Sequence, residues 1–303
     1  MLNSNTATLL VGFNRPELIE KRLKEIFEYP NLKLFITIDG PRKKSNDGLN
    51  NNEILSIIDK WKAKIDIIEI IHKENIGLAL NITRAIHNIL KDNENIFVIE
   101  DDVSVTKQAY NAILDMQKLA QPNIATIGGF GFVNDSFLNS KLRFNNAFRE
   151  TPYFSAWGWC INRHNFSNYE LDLSTKKIER ELAESKTWNL LDYKEKEIWK
   201  SRFKKVVQDP LYTWDFQMQF MSFKYEKMHY LPLFRIVENE GFNDNRGTNI
   251  KGCRPKWYIG NSSNVSMSPH LFTKNIIIRK TWIWLDRYTW IGTKKIKKKK
   301  KRR

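Results

Sequence analysis

Ile96–Val103 reads IFVIEDDV, four apolar residues that run straight into three consecutive carboxylates, Glu100, Asp101 and Asp102. A short continuous apolar run is the pattern of a strand buried on both faces. Such strands belong to sheets with helices on either side, where ligands gather beyond the carboxyl ends of the strands. The three acids therefore stand where an α/β sheet would place its ligand. Like charges this close are costly unless something positive is shared among them. A divalent cation, Mn²⁺ or Mg²⁺, held by one or two carboxylates and by substrate phosphates, meets that need. The competing reading is a solvated acidic loop that caps the following helix.

The same pattern extends outward. Ala7–Phe13, Leu34–Ile38, Ile65–Ile71 and Ile124–Ile127 are further short apolar runs, expected as strands buried on both faces. Between them Glu17–Phe27, Glu53–Trp61 and Leu78–Leu90 carry apolar residues at helical spacing. This alternation predicts a doubly wound α/β sheet with a ligand-binding half over residues 1–130. Beyond Phe130 the alternation fails. Residues 131–260 are expected to form a second half. Within it, Leu142–Arg149 reads as a polar, aromatic loop, and Tyr153–Asn162 as a strand with close backbone approach at Gly158. Glu170–Val207 is a charged helical insert, Asp215–Met228 a helix, Tyr230–Val237 a strand and Glu238–Gly252 a polar loop. Residues 261–303 form an aromatic and polybasic C-terminal extension.

Composition narrows the classes. An aromatic content of 13% belongs to a folded chain and excludes a disordered one. The net charge of +16 is concentrated: nine positive charges lie in the last ten residues, KKIKKKKKRR, which leaves a body of +7. Two cysteines, Cys160 and Cys253, are too few for a disulfide framework and lack metal-site spacing. MLNSNTATLL lacks the basic-then-apolar layout of a signal peptide, and no run approaches the length of a spanning helix. A cytoplasmic protein, peripheral on the inner face of the cell membrane, is the expectation. Trp282, Trp284, Tyr288 and Trp290 stand directly beside the basic run, which favours an anionic membrane surface over nucleic acid as its partner. A plain unstructured tail is the bland alternative.

Several residues fall where strand ends put them near the acids. Asp39 ends LFITID and could accept from a base N–H or simply start the turn into Gly40-Pro41. Arg15 follows the first strand in GFNRPE, where it could face phosphates; Pro16 also marks a helix start. Asn81 and Arg84 offer donors from the helix beginning NIGLALNITR. Asp215 in YTWDFQMQF reads either as a general base or as a helix N-cap. Glu238–Asn249, ENEGFNDNRGTN, is too polar for core and suits a binding lid or a solvated loop. The five histidines lack paired metal spacing and are taken as structural.

Taken in order, these segments resemble GT-A fold nucleotide-sugar glycosyltransferases, and within them the family 2-like, N-acetylglucosaminyltransferase I-like group with its bacterial relatives. GFNRPE resembles the opening strand whose arginine contacts the nucleotide, and ITIDG the strand whose aspartate holds uracil. GLALNITRAI lines up with a helix carrying another nucleotide contact, with Asn81 where the family has histidine. VIEDDV resembles the Glu-Asp-Asp form of the Asp-x-Asp motif, which implies Asp102 as metal ligand and Asp101 in support. YFSAWGWCI is similar to the acceptor-side strand, TWDF to the Trp-Asp pair whose aspartate is the base, and NEGFND to the donor loop, implicating Phe242 and Asn243. Phe216 stands where the family has a second aspartate, and Glu170–Val207 has no counterpart.

The resemblance implies a GT-A type mixed sheet and a metal-dependent, inverting transfer. The donor would be UDP-GlcNAc, UDP-GalNAc or UDP-Gal in type, and the acceptor a cell-surface glycan or lipid-linked saccharide. Two other classes compete. A nucleotidyltransferase would use a similar sheet, but its glycine-rich phosphate loop after the first strand is missing, with only Gly12 there. A non-catalytic adaptor would act through the basic tail alone.

Overall fold

The computed structural model describes residues 6–30, 32–43, 45, 47–131, 147–242, 244, 246, 258 and 270–271. The Asn243 expectation and the aromatic and polybasic extension from 272 onward lie outside the described residues, as does Cys253.

The amino-terminal half alternates as its periodicity requires. Its elements are β1 (Thr6–Gly12), α1 (Pro16–Ile26), β2 (Leu34–Ile38), α2 (Asp47–Lys62), β3 (Ile67–Ile71), α3 (Leu78–Asp92) and β4 (Asn95–Glu100). After these come β5 (Val103–Val105), α4 (Lys107–Lys118) and β6 (Ile124–Gly128). Pro16 opens α1, where its missing N–H costs nothing. Thr106 caps α4 by accepting from the Ala109 amide.

The second half contributes β7 (Ala147–Thr151), β8 (Trp159–Asn162), α5 (Arg163–Phe166), α6 (Thr175–Ala183), α7 (Lys186–Asn189) and α8 (Tyr193–Gln208). It ends with α9 (Asp215–Lys224), β9 (Met228–Pro232), β10 (Val237–Asn239) and β11 (His270–Leu271). Among the described residues nine strands form one mixed sheet in the order β11-β7-β9-β6-β8-β4-β1-β2-β3, and β10 pairs with β5 in a separate ribbon. β1 is parallel to both β2 and β4, while β8 runs antiparallel between β4 and β6.

Side-chain alternation divides the core between the two faces of the sheet. Leu10, Ile36 and Ile99 pack with Ile19, Ile58 and Ile113 on one face. Leu9 and Val98 pack with Ile82, Ile86, Trp159 and Met218 on the other. Each fully buried aliphatic side chain contributes roughly 1.5–3 kcal/mol by leaving water. A third cluster, with Trp188, Trp199, Phe203 and Phe223, binds the helical insert to α9.

Several expectations need correction. β3 is not buried on both faces: among the described residues it is the edge of the sheet, and its Ile68 and Ile71 are exposed. Residues 147–149, expected in a loop, begin β7, which pairs antiparallel with β9. Tyr153–Asn162 is strand only from Trp159. Gly158 has φ +57°, outside the extended region, and a Cβ there would sit 3.0 Å from Val105 Cγ2.

The insert is three helices rather than one, each begun by its own cap, Ser174, Ser185 and Asp192. The helix expected to reach Met228 stops at Lys224, and Glu226 follows at φ +53°. Tyr230–Val237 is likewise split between β9 and β10. The loop expected from Glu238 begins two residues later, because Glu238 and Asn239 pair with Ser104 and Val103.

Candidate active site

The site begins with strand register. β1 and β4 are parallel neighbours with Val11 opposite Glu100, and the Asp101 amide extends the ladder by donating to the Val11 carbonyl at 2.9 Å. Residues just past Val11 and just past Glu100 are thereby delivered to one end of the sheet. Arg15 makes no side-chain cap for α1 and instead turns its guanidinium across this end. Its Nε donates to Asp101 Oδ2 at 3.2 Å, its Nη2 bonds Asp101 Oδ1, and its Nη1 reaches Asp102 Oδ2 at 3.2 Å.

One cation faces a larger negative charge. Burial is the main cause that raises the Asp101 pKa, to about 7, against the pull of Arg15. Glu100 is raised well above the ordinary carboxylate range, first by burial and then by Asp102 and Asp101. Burial works to lower the Arg15 pKa, but Asp101 and Asp102 together overcome it and raise it. The guanidinium and the Asp101 carboxyl thus both shift upward, the first through its two acidic partners and the second chiefly through burial. The Asp102 side chain stays partly open, at 17% exposure, and among the described residues only its Oδ2 is engaged. Hard oxygen donors with positive charge in deficit suit a small divalent cation, so the residues present fit Mn²⁺ or Mg²⁺. No group of three or more side chains among the described residues would cage such an ion unaided.

A cleft of about 320 Å³ opens beside these acids. Arg15, Asp39, Asn81, Asp101, Asp102 and Asp215 all line it. Six residues separated by up to 200 positions in sequence therefore converge on one space.

Asp39 is held hard. Its carboxylate accepts from the Gly40, Ile76 and Gly77 amides at 2.8–3.0 Å and from Asn75 Nδ2 at 2.9 Å. Four donors use its four acceptor positions, so it anchors the turn at 75–77 rather than presenting a free oxygen. Gly40 is required for this approach, since a Cβ there would lie 2.4 Å from the Glu74 carbonyl carbon. Asn81, 1% exposed, accepts from Thr37 Oγ1, and its Nδ2 has no partner among the described residues. A buried amide left unsatisfied at a cleft wall is costly until a ligand meets it. Arg84, on the exposed side of α3, is not part of the cleft.

On the opposite wall, Trp214 is the N-cap residue of α9 and stacks on Trp159 of β8 at 5.3 Å and 21°. Such a ring pair contributes about 0.5–1.5 kcal/mol beyond burial and pins the helix start to the sheet. Asp215 is thus not the N-cap. It is the first residue inside the helix, and its carboxylate accepts from the Thr213 hydroxyl. Burial raises its pKa, opposed by Thr213 and by Arg202.

Asn239, Gly241 and Arg246, at and after the end of β10, also border the space. The Glu240 amide donates to the Asp102 carbonyl at 2.7 Å, and the Glu240 side chain pairs with Lys21 and Arg22 of α1. Arg246 bonds Glu17 and Asp244 while lining the cleft. Phe242 does not line it; this ring packs behind Trp157, at 6.0 Å, and against Tyr258, at 4.8 Å. Arg42, Asn75, Trp157, Thr213 and Arg246 also line the cleft and were not singled out from sequence. Their only local signal was position beside a strand end or a motif. His229 is buried, donates to or accepts from Thr126, and is pushed down to about 3 by burial, as a structural histidine would be.

No family model matches the chain, and no curated protein matches it. Among solved structures it is similar to a mannosyltransferase from Pyrobaculum calidifontis in complex with GDP-Man and Mn²⁺, at 12% identity and TM-score 0.42, over 72% of this chain and 69% of that one. It is also similar to S. aureus TarS 1–349, at 9% identity and TM-score 0.40, over 75% of this chain and 57% of that one. Likenesses this distant decide nothing about the reaction, which rests on the chemistry of the cleft.

Proposed function

We propose that the chain is a metal-dependent, inverting glycosyltransferase of GT-A type, resembling the N-acetylglucosaminyltransferase I-like group. The donor would be a UDP-sugar of the GlcNAc, GalNAc or Gal type and the acceptor a glycan or lipid-linked saccharide. The observation that carries this reading is the convergence of Arg15, Asp101 and Asp102 with Asp215 on one cleft. It would join an anion-binding and metal-binding corner to a half-buried carboxylate suited to proton removal.

Asp102 would hold the cation, with Asp101 oriented by Arg15 in support. When bound, the metal would supply a Lewis acid for the negative charge that develops on the departing nucleoside diphosphate. Arg42 and Arg246, both lining the cleft, are placed to meet phosphate oxygens. Asn81 offers its unpaired amide to the nucleoside, and Asp39 holds the turn that shapes that pocket. Asp215 would take the proton of the acceptor hydroxyl as its oxygen forms a bond to the anomeric carbon. The bond from that carbon to the diphosphate oxygen breaks on the opposite face, which inverts the configuration.

The basic sequence Lys294–Arg303 supports a separable attachment to anionic headgroups on the cytoplasmic side. Deleting it should abolish vesicle binding and leave turnover of soluble substrates intact. Among the described residues no helix is long and apolar enough to cross a membrane.

Thermal shift with UDP-, GDP- and CMP-sugars, each with and without Mn²⁺, tests the donor class. Stabilisation by a UDP-sugar only with metal is expected, since a ligand bound by the folded state raises its melting point. Asp102→Ala should lose that shift, and Asp215→Asn should keep it while losing transfer. Stabilisation by a CMP-sugar without metal would overturn the reading.

A further inference from the structure

β5 and β10 form a ribbon of only three residue pairs, separate from the nine-stranded sheet. A two-stranded piece that short is marginal by itself and needs support from a neighbouring element. Its register sets Val105 against Val237, Ser104 against Glu238 and Val103 against Asn239. One step further along, the Glu240 amide donates to the Asp102 carbonyl at 2.7 Å. The end of the ribbon is therefore the residue proposed to hold the metal.

Support comes from α1. Arg22 and Glu25 stand three residues apart and share one face of that helix. Glu25 holds the β5 strand: its Oε1 accepts from Ser104 Oγ at 2.8 Å and its Oε2 from the Val105 amide at 3.3 Å. Arg22 holds the chain leaving β10. Its Nη2 donates to Glu240 Oε2 at 3.0 Å and to Glu25 Oε1 at 3.0 Å, so one nitrogen links the supports of both strands. Lys21, half-exposed, adds a bond to Glu240 Oε1 at 2.6 Å.

Arg22 is a costly residue to use for filling space. It is 1% exposed, and its Nε and Nη1 have no hydrogen-bond partner among the described residues. An apolar side chain of similar length would occupy the same volume without that cost. It would not hold the Glu240 carboxylate.

We propose that Arg22 is a positioning residue for the metal site. By clamping Glu240 it seats the Glu240 amide on the Asp102 carbonyl and sets the Gly241 backbone against the Asp102 carboxylate, where there is no room for a Cβ. The inference rests on Asp102 serving as the metal ligand. It gives α1 a second grip on the acidic corner: Arg15 meets the carboxylates themselves, and Arg22 fixes the backbone that carries one of them.

The test uses the full chain, with Mn²⁺ as the probe, and reads two quantities. One is hydrogen exchange of the Glu240 amide by NMR in the metal-free protein; the other is Mn²⁺ affinity by electron paramagnetic titration. Arg22→Met, neutral and of similar length, should speed the exchange and weaken Mn²⁺ binding, each by about tenfold, as disturbing a ligand's support does. Glu240→Ala removes the same contact from its more exposed side, should give the same result, and serves if Arg22→Met does not fold. The double variant should be no worse than the weaker single variant to within about twofold, because both changes remove one contact. The Leu10 amide of β1, followed in the same samples, reports loosening of the whole fold. A merely structural Arg22 would speed exchange at Leu10 as much as at Glu240 and leave Mn²⁺ affinity in place. Affinity within about twofold of wild type in a folded variant, where Asp102→Ala loses it, overturns the inference. Asp102→Ala that binds Mn²⁺ as wild type does would instead remove the metal assignment, while Glu240 exchange would still report whether Arg22 seats the ribbon end.

Discussion

A Cβ added to Gly241 would lie 2.3 Å from Asp102 Oδ2 and 3.0 Å from its Cγ, so the loop after β10 and the last carboxylate of the acidic triplet share one boundary. The Glu240 amide bonded to the Asp102 carbonyl fixes that boundary from the backbone side. The position of the Asp102 carboxylate, the proposed metal ligand, is thereby tied to the backbone at Glu240 and Gly241.

Gly241→Ala is expected to push the Asp102 carboxylate aside with little effect on the core, because the atom it meets first is the end of a side chain. Affinity for Mn²⁺ should fall about tenfold, the usual effect of disturbing a ligand's support. Electron paramagnetic titration of free Mn²⁺ reads this directly. Unchanged affinity would place the metal elsewhere.

The acidic corner gives the metal-free protein a pH dependence of defined sign. Asp101 is raised to about 7 by burial, and Glu100 and Asp215 are raised as well. A carboxyl whose folded pKa lies above its unfolded value binds more protons when folded, so its contribution is full below about pH 4 and is lost as pH rises toward 7. Urea denaturation without metal should show stability falling as pH rises from about 4 through about 7, where Asp101 titrates. Asp101→Asn should flatten this slope, and Mn²⁺ should recover stability at the upper end. A wild-type slope equal to that of the Asn variant would contradict the assignment.

Removing Arg15 should destabilise the fold as well as the site. Arg15→Ala leaves Asp101, 2% exposed, without its guanidinium. Breaking a buried pair by deleting one partner costs about 3–5 kcal/mol. Added Mn²⁺ should recover part of that loss, since it supplies positive charge to the same acids. Chemical denaturation with and without metal separates the two terms.

Asn81→Ala should weaken nucleotide binding while sparing turnover at saturation. The lost hydrogen bond is expected to cost about tenfold in Kd for UDP, as titration calorimetry would show. Thr37→Val should produce a smaller loss of the same kind, because Thr37 only holds the amide in place.

Much of the sheet was legible. β2 was placed at its observed limits, and β1, β4 and β6 within one residue at each end, since strands buried on both faces leave continuous apolar runs. α2 was drawn too short because Asp47–Asn52 is polar; its start is secured by Asn14 and Arg42 on Asp47 and by Asn51 donating to the Phe13 and Asp39 carbonyls. β7 escaped notice because an antiparallel strand near the sheet margin carries no such run.

The site was legible as a set of strand ends and less so as a set of roles. Asp39 looked like a free acceptor, yet Asn75 and the amides of residues 40, 76 and 77 occupy it. Asp215 looked like an N-cap as much as a base; the cap falls at Trp214, fixed by a ring on β8, 55 positions earlier.

From the sequence alone came the α/β alternation, the strand ends that carry Arg15, Asp39 and Glu100–Asp102, and the candidate Asp215, because local periodicity and strand termination are properties of neighbouring residues. Only the tertiary structure decided that β8 runs antiparallel between β4 and β6, that Gly241 abuts Asp102, and that Trp199 of the insert meets Phe216, the residue after Asp215. These relations join residues distant along the chain. They arise from packing and charge compensation across the folded molecule, and no local pattern encodes them.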